Sequence, residues 1–240
     1  MKKLVIGNWK LNPATAIEAV RLAKATDVEG AVLCPPDIFL MQVGETIKKA
    51  SLGAQDLFWK DAAAVTGEAS AVQLKQIGVL YVIVGHSSRR EELKETDELV
   101  NLKVKAALAA KLKVILCVGE DLDIHKQGEV KTRAFVLEQL KRDLDGVSGG
   151  ENLIVAYEPV WSISTSNTNL VDTPEEASIM IRYIKDESSK MGFDKVPVLY
   201  GGSVDSKRAK DFLSRGIIDG VLVGKASLDI EEFKQIISLA

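Results

Sequence analysis

Cysteine is scarce in this chain: Cys34 and Cys117 are the two present, in separate apolar runs, with no CxxC pair and no Cys/His cluster. That excludes a disulfide framework and a structural zinc site, and leaves two reduced thiols packed near strand ends. Proline is scarce too, with six in 240 residues, and no Pro/Gly/Ser-rich linker or shift in composition divides the chain. With 46% hydrophobic residues, disorder is excluded as the main theme and one domain, 1–240, is expected. Charge of one sign is missing as well: the net charge is -3, with acids and bases interspersed throughout. Neither nucleic acid nor an anionic membrane is therefore an expected partner, whereas a small anionic substrate needs only local positive potential. No run approaches the ~18 apolar residues of a spanning helix, and "MKKLVIGNWKLN" reaches Asn8 too soon to hold a signal-peptide core. The expectation is a cytoplasmic protein.

What the chain does have is a repeat. The apolar runs "LVIGNW", "GAVLCPP", "LGAQDLF", "VLYVIVGH", "KVILCVGE", "LIVAYEP", "PVLYGGS" and "DGVLVGKAS" make eight candidate strands. They are near-continuous in Val, Ile and Leu, as strands of a parallel sheet buried on both faces should be. Between them lie stretches of helical spacing. "ATAIEAVRLAKA" turns Ile17, Val20, Leu22 and Ala23 to one side, and "DELVNLKVKAALAAK" does so with Leu99, Leu102, Val104, Ala106 and Ala107. Thr173-Pro174-Glu175-Glu176 reads as a helix start, and Gly216 as a helix stop. Eight such units of ~30 residues match an α/β fold of the (β/α)8 barrel type better than its runner-up, an open doubly wound sheet. No G-x-G-x-x-G follows the first strand, which argues against dinucleotide binding.

A barrel of this type places its chemistry at the carboxyl ends of its strands. Those positions hold Asn8 and Lys10, then His86, Cys117 with Glu120 just beyond, and Glu158, followed by "YGGS" and "VGK". Taken singly, Lys10 fits a snorkelling surface lysine, His86 a hydrogen-bonded core imidazole, and Glu158 an ion-paired rim carboxylate. Together they put a cation, an imidazole and a carboxylate at one mouth. The two glycine turns, "YGGSV" and "VGKAS", each lie between a strand and a helix, where main-chain N–H groups can face a phosphate; the plainer alternative is that Gly201 and Gly202 only let the chain turn.

The motifs "GNWKLN", "VGHSSRR", "ILCVGE", "AYEPVW", "YGGSV" and "GVLVGKASL", in this order over the whole chain, resemble those of triosephosphate isomerases. The resemblance implies a single-domain TIM barrel, no metal and no cofactor, and a small phosphorylated triose as substrate. It implies Glu158 as the base, His86 as the electrophile, Lys10 as fixed positive charge, and Asn8 as the residue that holds Lys10. "PVWSISTS" is then a lid hinged at Pro159 and Trp161, and main-chain N–H groups of Ser164, Ser203, Gly224 and Lys225 hold the phosphate. Ser87, Ser88, Cys117 and Glu120, with Arg89 and Arg90, support these groups from behind. Gly53 to Ser70 looks like the loop through which the family forms a homodimer, with Thr66 reaching the partner's first loop. His86 also opens "HSSRREEL", and a helix start there disfavours an imidazolium. Lys10 as a Schiff-base amine of an aldolase, and a barrel that binds sugar phosphate without turning it over, are the alternatives.

Three stretches depart from the family pattern. Ser88 stands where the family writes Glu in "HSERR", and the expectation is that a hydroxyl or a water keeps Lys10 placed instead. "SISTSNTNLVD" replaces "AIGTGKTA" and is three residues longer. Lys225 replaces the second glycine of "VGGASL", which is strained if that glycine has a positive φ.

Overall fold

The computed structural model describes residues 3–163 and 170–240. Eight parallel strands, β1 (Leu4–Asn8), β2 (Ala31–Cys34), β3 (Ser51–Ala54), β4 (Tyr81–Val84), β5 (Lys113–Val118), β6 (Leu153–Tyr157), β7 (Val198–Tyr200) and β8 (Gly220–Val223), pair in chain order, and β8 pairs with β1 to close the barrel. The expected (β/α)8 barrel is the fold. The helices wrap the outside: α1 (Ala16–Ala25), α2 (Leu40–Thr46), α3 (Ala71–Gln76), α4 (Ser87–Glu92), α5 (Asp97–Ala109), α6 (Leu122–His125), α7 (Glu129–Asp143), α8 (Pro174–Lys190), α9 (Ser206–Leu213) and α10 (Ile230–Ser238). Among the described residues no helix is long and apolar enough to cross a membrane.

The continuous apolar runs arise because each strand has two buried faces. Ile6, Val32, Ile83, Ile115, Leu199 and Leu222 fill the barrel interior together with Cys34 and Cys117. Their neighbours Val5, Leu33, Val82, Val114, Val198 and Val221 pack outward against the helices. Both cysteines are free and buried, as expected. Alternation still holds; both phases of it are apolar.

Local starts and stops follow the chain's chemistry. Thr173 Oγ1 accepts from the Glu176 N–H at 3.2 Å while Glu176 Oε2 accepts from the Thr173 N–H, so α8 begins with a reciprocal cap. Three expectations need correction. Ile17 is 82% exposed and Leu102 41%; α1 buries Leu22 and Ala23 as expected, with Ala19, and α5 buries Val104 and Ala107 with Val100. α9 ends at Leu213 with Ser214 as its cap, ahead of Gly216.

Candidate active site

β1 ends in Asn8, whose Oδ1 accepts the Lys10 N–H at 3.0 Å. Lys10 has φ +53°, a conformation that disfavours a side chain and therefore needs outside support. Gln55, just past β3, supplies it: its Nε2 donates to the Lys10 carbonyl at 2.7 Å and to the Cys34 carbonyl at 2.9 Å. Gln55 is a residue that sequence reasoning passed over, because "GAQDL" fell inside the loop assigned to dimer formation.

Beyond β4, His86 caps α4. The Ser88 N–H donates to His86 Nδ1 at 3.1 Å, and the Ser88 hydroxyl lies 2.9 Å from the same nitrogen. The expectation that this hydroxyl places Lys10 is thereby corrected. A main-chain N–H can only donate, so Nδ1 is the bare nitrogen and Nε2 carries the proton. Burial holds the His86 pKa below its ordinary value; Glu158 pulls it up, while Lys10 and Arg89 push it down. The ring is a neutral donor aimed at Glu158, with Nε2 3.3 Å from Oε1.

Glu158 follows β6 and is 3% exposed. Its carboxylate accepts the Ser87 N–H at 3.1 Å on Oε2. Its main chain is fixed by donation from the Glu158 N–H to the Val118 carbonyl at 2.8 Å. The Cys117 thiol adjoins the carboxylate, and burial with that negative neighbour raises its pKa well above the ordinary value, so it stays protonated and is no nucleophile at neutral pH. Asn8, Lys10, His86, Glu158, Gly202 and Gly224 all line one narrow cleft.

Glu120, wholly buried beyond β5, accepts from the Trp161 indole N–H at 2.7 Å and from the Tyr157 hydroxyl at 3.2 Å. It thus holds the 3-10 turn Val160–Ser162 that follows Pro159, and burial pushes its pKa up to about 7. Arg90 donates to the Gly85 carbonyl at 2.7 Å and pairs with Asp97 and Asp143, which fixes the chain just before His86. Arg89 pairs with Asp56 and Glu95, both also bound by the buried Lys103.

The two glycine turns border the same mouth. Neither Gly201 nor Gly202 has a positive φ. They are small for want of room: a Cβ on Gly201 would meet Glu158 Cγ, and one on Gly202 would fall 2.2 Å from the Tyr200 hydroxyl. Lys225, in the 3-10 turn Lys225–Leu228, is not left-handed either, so its side chain is accommodated without backbone strain and stands exposed beside a cleft of about 500 Å³. The Ser203 N–H donates to the Ser162 carbonyl at 3.2 Å. Ser164 lies outside the described residues. Ser162 carries a second contact missed in the sequence: its Oγ accepts the Asp172 N–H at 2.8 Å, joining the two ends of the segment between them.

The family model described as triosephosphate isomerase matches residues 3–240. The triosephosphate isomerase of Caldanaerobacter subterraneus subsp. tengcongensis is 42% identical, with 99% of each chain covered. That of Alkaliphilus oremlandii is 41% identical over 99% of each chain, and that of Lactobacillus delbrueckii subsp. lactis 40% identical over 94% of this chain and 93% of its own.

Proposed function

This chain belongs to the triosephosphate isomerase family and interconverts dihydroxyacetone phosphate and D-glyceraldehyde 3-phosphate, a step of glycolysis, and we propose that Glu158 and His86 carry the chemistry. Glu158 takes a proton from the hydroxyl-bearing carbon beside the carbonyl, and the electron pair left behind forms the enediolate. The Nε2–H of His86 donates to the oxygen on which charge develops, and Lys10 adds positive charge at the same place. His86 gives its Nε2 proton to that oxygen and takes the hydroxyl proton from the neighbouring one, and Glu158 then returns the carbon-bound proton to the adjacent carbon, leaving the carbonyl moved by one position. The observation that carries this reading is the 3.3 Å separation of Glu158 Oε1 and His86 Nε2 in one cleft, with His86 Nδ1 already committed as an acceptor.

In this reading the phosphate lies between the turns after β7 and β8, held by N–H groups of Ser203, Gly224 and Lys225 and of Ser164. Ser203 then exchanges its bond to the Ser162 carbonyl for the phosphate. Lys10 supports the assignment: its Cε lies 3.5 Å from where a Cβ on Gly224 would stand, so its charge serves both ends of the ligand. Pro159 and Trp161 are the hinge of the lid.

We further propose a cytoplasmic homodimer of single-domain subunits. Residues 60–68 are all exposed and project from a base closed by donation from the Phe58 N–H to the Ala69 carbonyl at 2.8 Å. Leu11, Ile17, Ile38 and Val65, at 91%, 82%, 76% and 51% exposure, follow the adjacent strands β1, β2 and β3 at the same end of the barrel. A band of that kind supports a protein interface, with Thr66 entering the partner's first loop.

A coupled assay on wild type and Glu158→Gln tests the catalytic assignment. Loss of the base should lower kcat on the order of 10³-fold, within the range for general acid–base catalysis, while a phosphorylated analogue still binds. Comparable turnover in both proteins would remove Glu158 from the role.

A further inference from the structure

The position that departs most from the family pattern near the chemistry is Ser88, where a hydroxyl replaces a carboxylate. Its place in α4 sets both of its donors on one acceptor. The Ser88 N–H reaches His86 Nδ1 at 3.1 Å and the hydroxyl oxygen lies 2.9 Å away. Because the N–H forces Nδ1 to be unprotonated, the hydroxyl must donate as well. A glutamate there offers only acceptors at neutral pH, so it could not make this bond. Lys10, the cation with which that carboxylate was expected to pair, extends past Gly224.

Two donors on one ring nitrogen withdraw electron density from the imidazole. The opposite N–H becomes a stronger donor, and the ring is kept in the tautomer that points its proton at the cleft. We propose that Ser88 is a positioning residue for His86, its hydroxyl bond to Nδ1 reinforcing the tautomer that the main-chain N–H sets and strengthening the Nε2–H donor that stabilises the enediolate. This rests on the isomerase reading given above, in which His86 is the electrophile. Ser88 is exposed, so its truncation leaves no buried cavity.

The chain has two histidines, His86 and His125, so selective ¹⁵N-histidine labelling gives four ring-nitrogen signals, assigned with His125→Gln. In Ser88→Ala the His86 Nδ1 resonance should move toward that of a pyridine-type nitrogen with fewer hydrogen bonds, and Ser88→Thr should restore it. The same Ser88→Ala protein should lose about three- to tenfold in kcat, the value of one hydrogen bond, with KM unchanged, and Ser88→Thr should recover most of the rate. An Nδ1 resonance that ignores the substitution would overturn the proposal, as would an unchanged kcat. A raised KM with kcat preserved would overturn it in favour of a role through Lys10. Wild type without turnover would instead remove the isomerase reading, and Ser88's catalytic role with it, while the resonance would still report whether the bond exists.

Discussion

Glu158 Cγ occupies the space that a side chain on Gly201 would need: a Cβ built there falls 2.8 Å from it and 3.2 Å from the Tyr157 carbonyl oxygen. The glycine after β7 thus makes room for the proposed base, whose carboxylate lies between the Ser87 N–H and His86. Gly201→Ala should displace Glu158, lowering kcat at least tenfold and stability by about 1–3 kcal/mol, the usual range for overpacking. Steady-state kinetics with urea unfolding measure the two effects, and a variant with normal kcat would show that the carboxylate has room to spare.

Gln55 is the second support to test. Lys10 holds a positive φ between two contacts, its N–H on Asn8 Oδ1 and its carbonyl on Gln55 Nε2. Left-handed backbone at a residue with a side chain costs on the order of 1–3 kcal/mol, which those bonds offset. Gln55→Ala should let Lys10 relax out of the cleft and raise KM about 5- to 30-fold, from a loss of about 1–2 kcal/mol in substrate binding, with a smaller fall in kcat. Titration with inorganic phosphate or a phosphorylated analogue should show the same loss, and unchanged affinity would mean that Asn8 alone suffices.

How much of this was legible in the sequence varies with the kind of contact. The eight strands were, because both faces of each are buried and the runs are apolar without a break. Asn8, Lys10, His86 and Glu158 were found because polar residues at strand ends are conspicuous against such runs, and they do line one cleft. The short helices α2 and α3, of seven and six residues, were not read, since so few turns carry little periodicity. Ile17 was assigned to the core because spacing alone cannot tell a buried apolar face from one that is exposed in a single chain. Gln55, Ser162 and the Ser88–His86 bond were missed because each joins a polar side chain to an atom whose position depends on the closed barrel or on one rotamer. Gly201 was read as a turn residue or as part of a phosphate cradle; that it makes room for Glu158 depends on a neighbour 43 positions earlier in the chain, the difference of the two residue numbers.

The exposed band gives a third prediction. If Val65 and Ile17 are covered by a second copy of the chain, then a charge placed there is buried without a partner, a penalty of several kcal/mol. Val65→Asp should shift the mass measured by light scattering from dimer to monomer at micromolar concentration, with loss of activity if Thr66 completes the neighbouring site. A wild type that already sediments as a monomer would dispose of the interface.

Asp172, whose N–H bonds Ser162 Oγ, supplies a pH test at the far end of the proposed hinge. The residue is 3% exposed, its Oδ2 has no hydrogen-bond partner among the described residues, and burial is the main cause that raises its pKa to about 8. Glu176 and Glu120 add to burial in reaching that value, the Thr173 N–H and Arg208 oppose it, and the buried hydroxyls of Tyr157 and Tyr200 stand close enough to be raised by it in turn. In the unfolded chain Asp172 ionises near its ordinary value of 3.8, so between about pH 4 and pH 8 the folded state holds a proton that the unfolded state has released. The stability tied to this proton is fully present below about pH 4 and is lost as pH rises through about 8, where a buried charge would have to form. Asp172→Asn cannot ionise and keeps the main-chain bond to Ser162. Its stability relative to wild type should therefore grow from pH 5 to pH 9, on the order of 2–3 kcal/mol, as read from urea midpoints at the two pH values. Curves that run parallel from pH 5 to pH 9 would mean that the Asp172 carboxyl finds a partner or water in solution, and that the contact between Asp172 and Ser162 is not closed by a neutral acid.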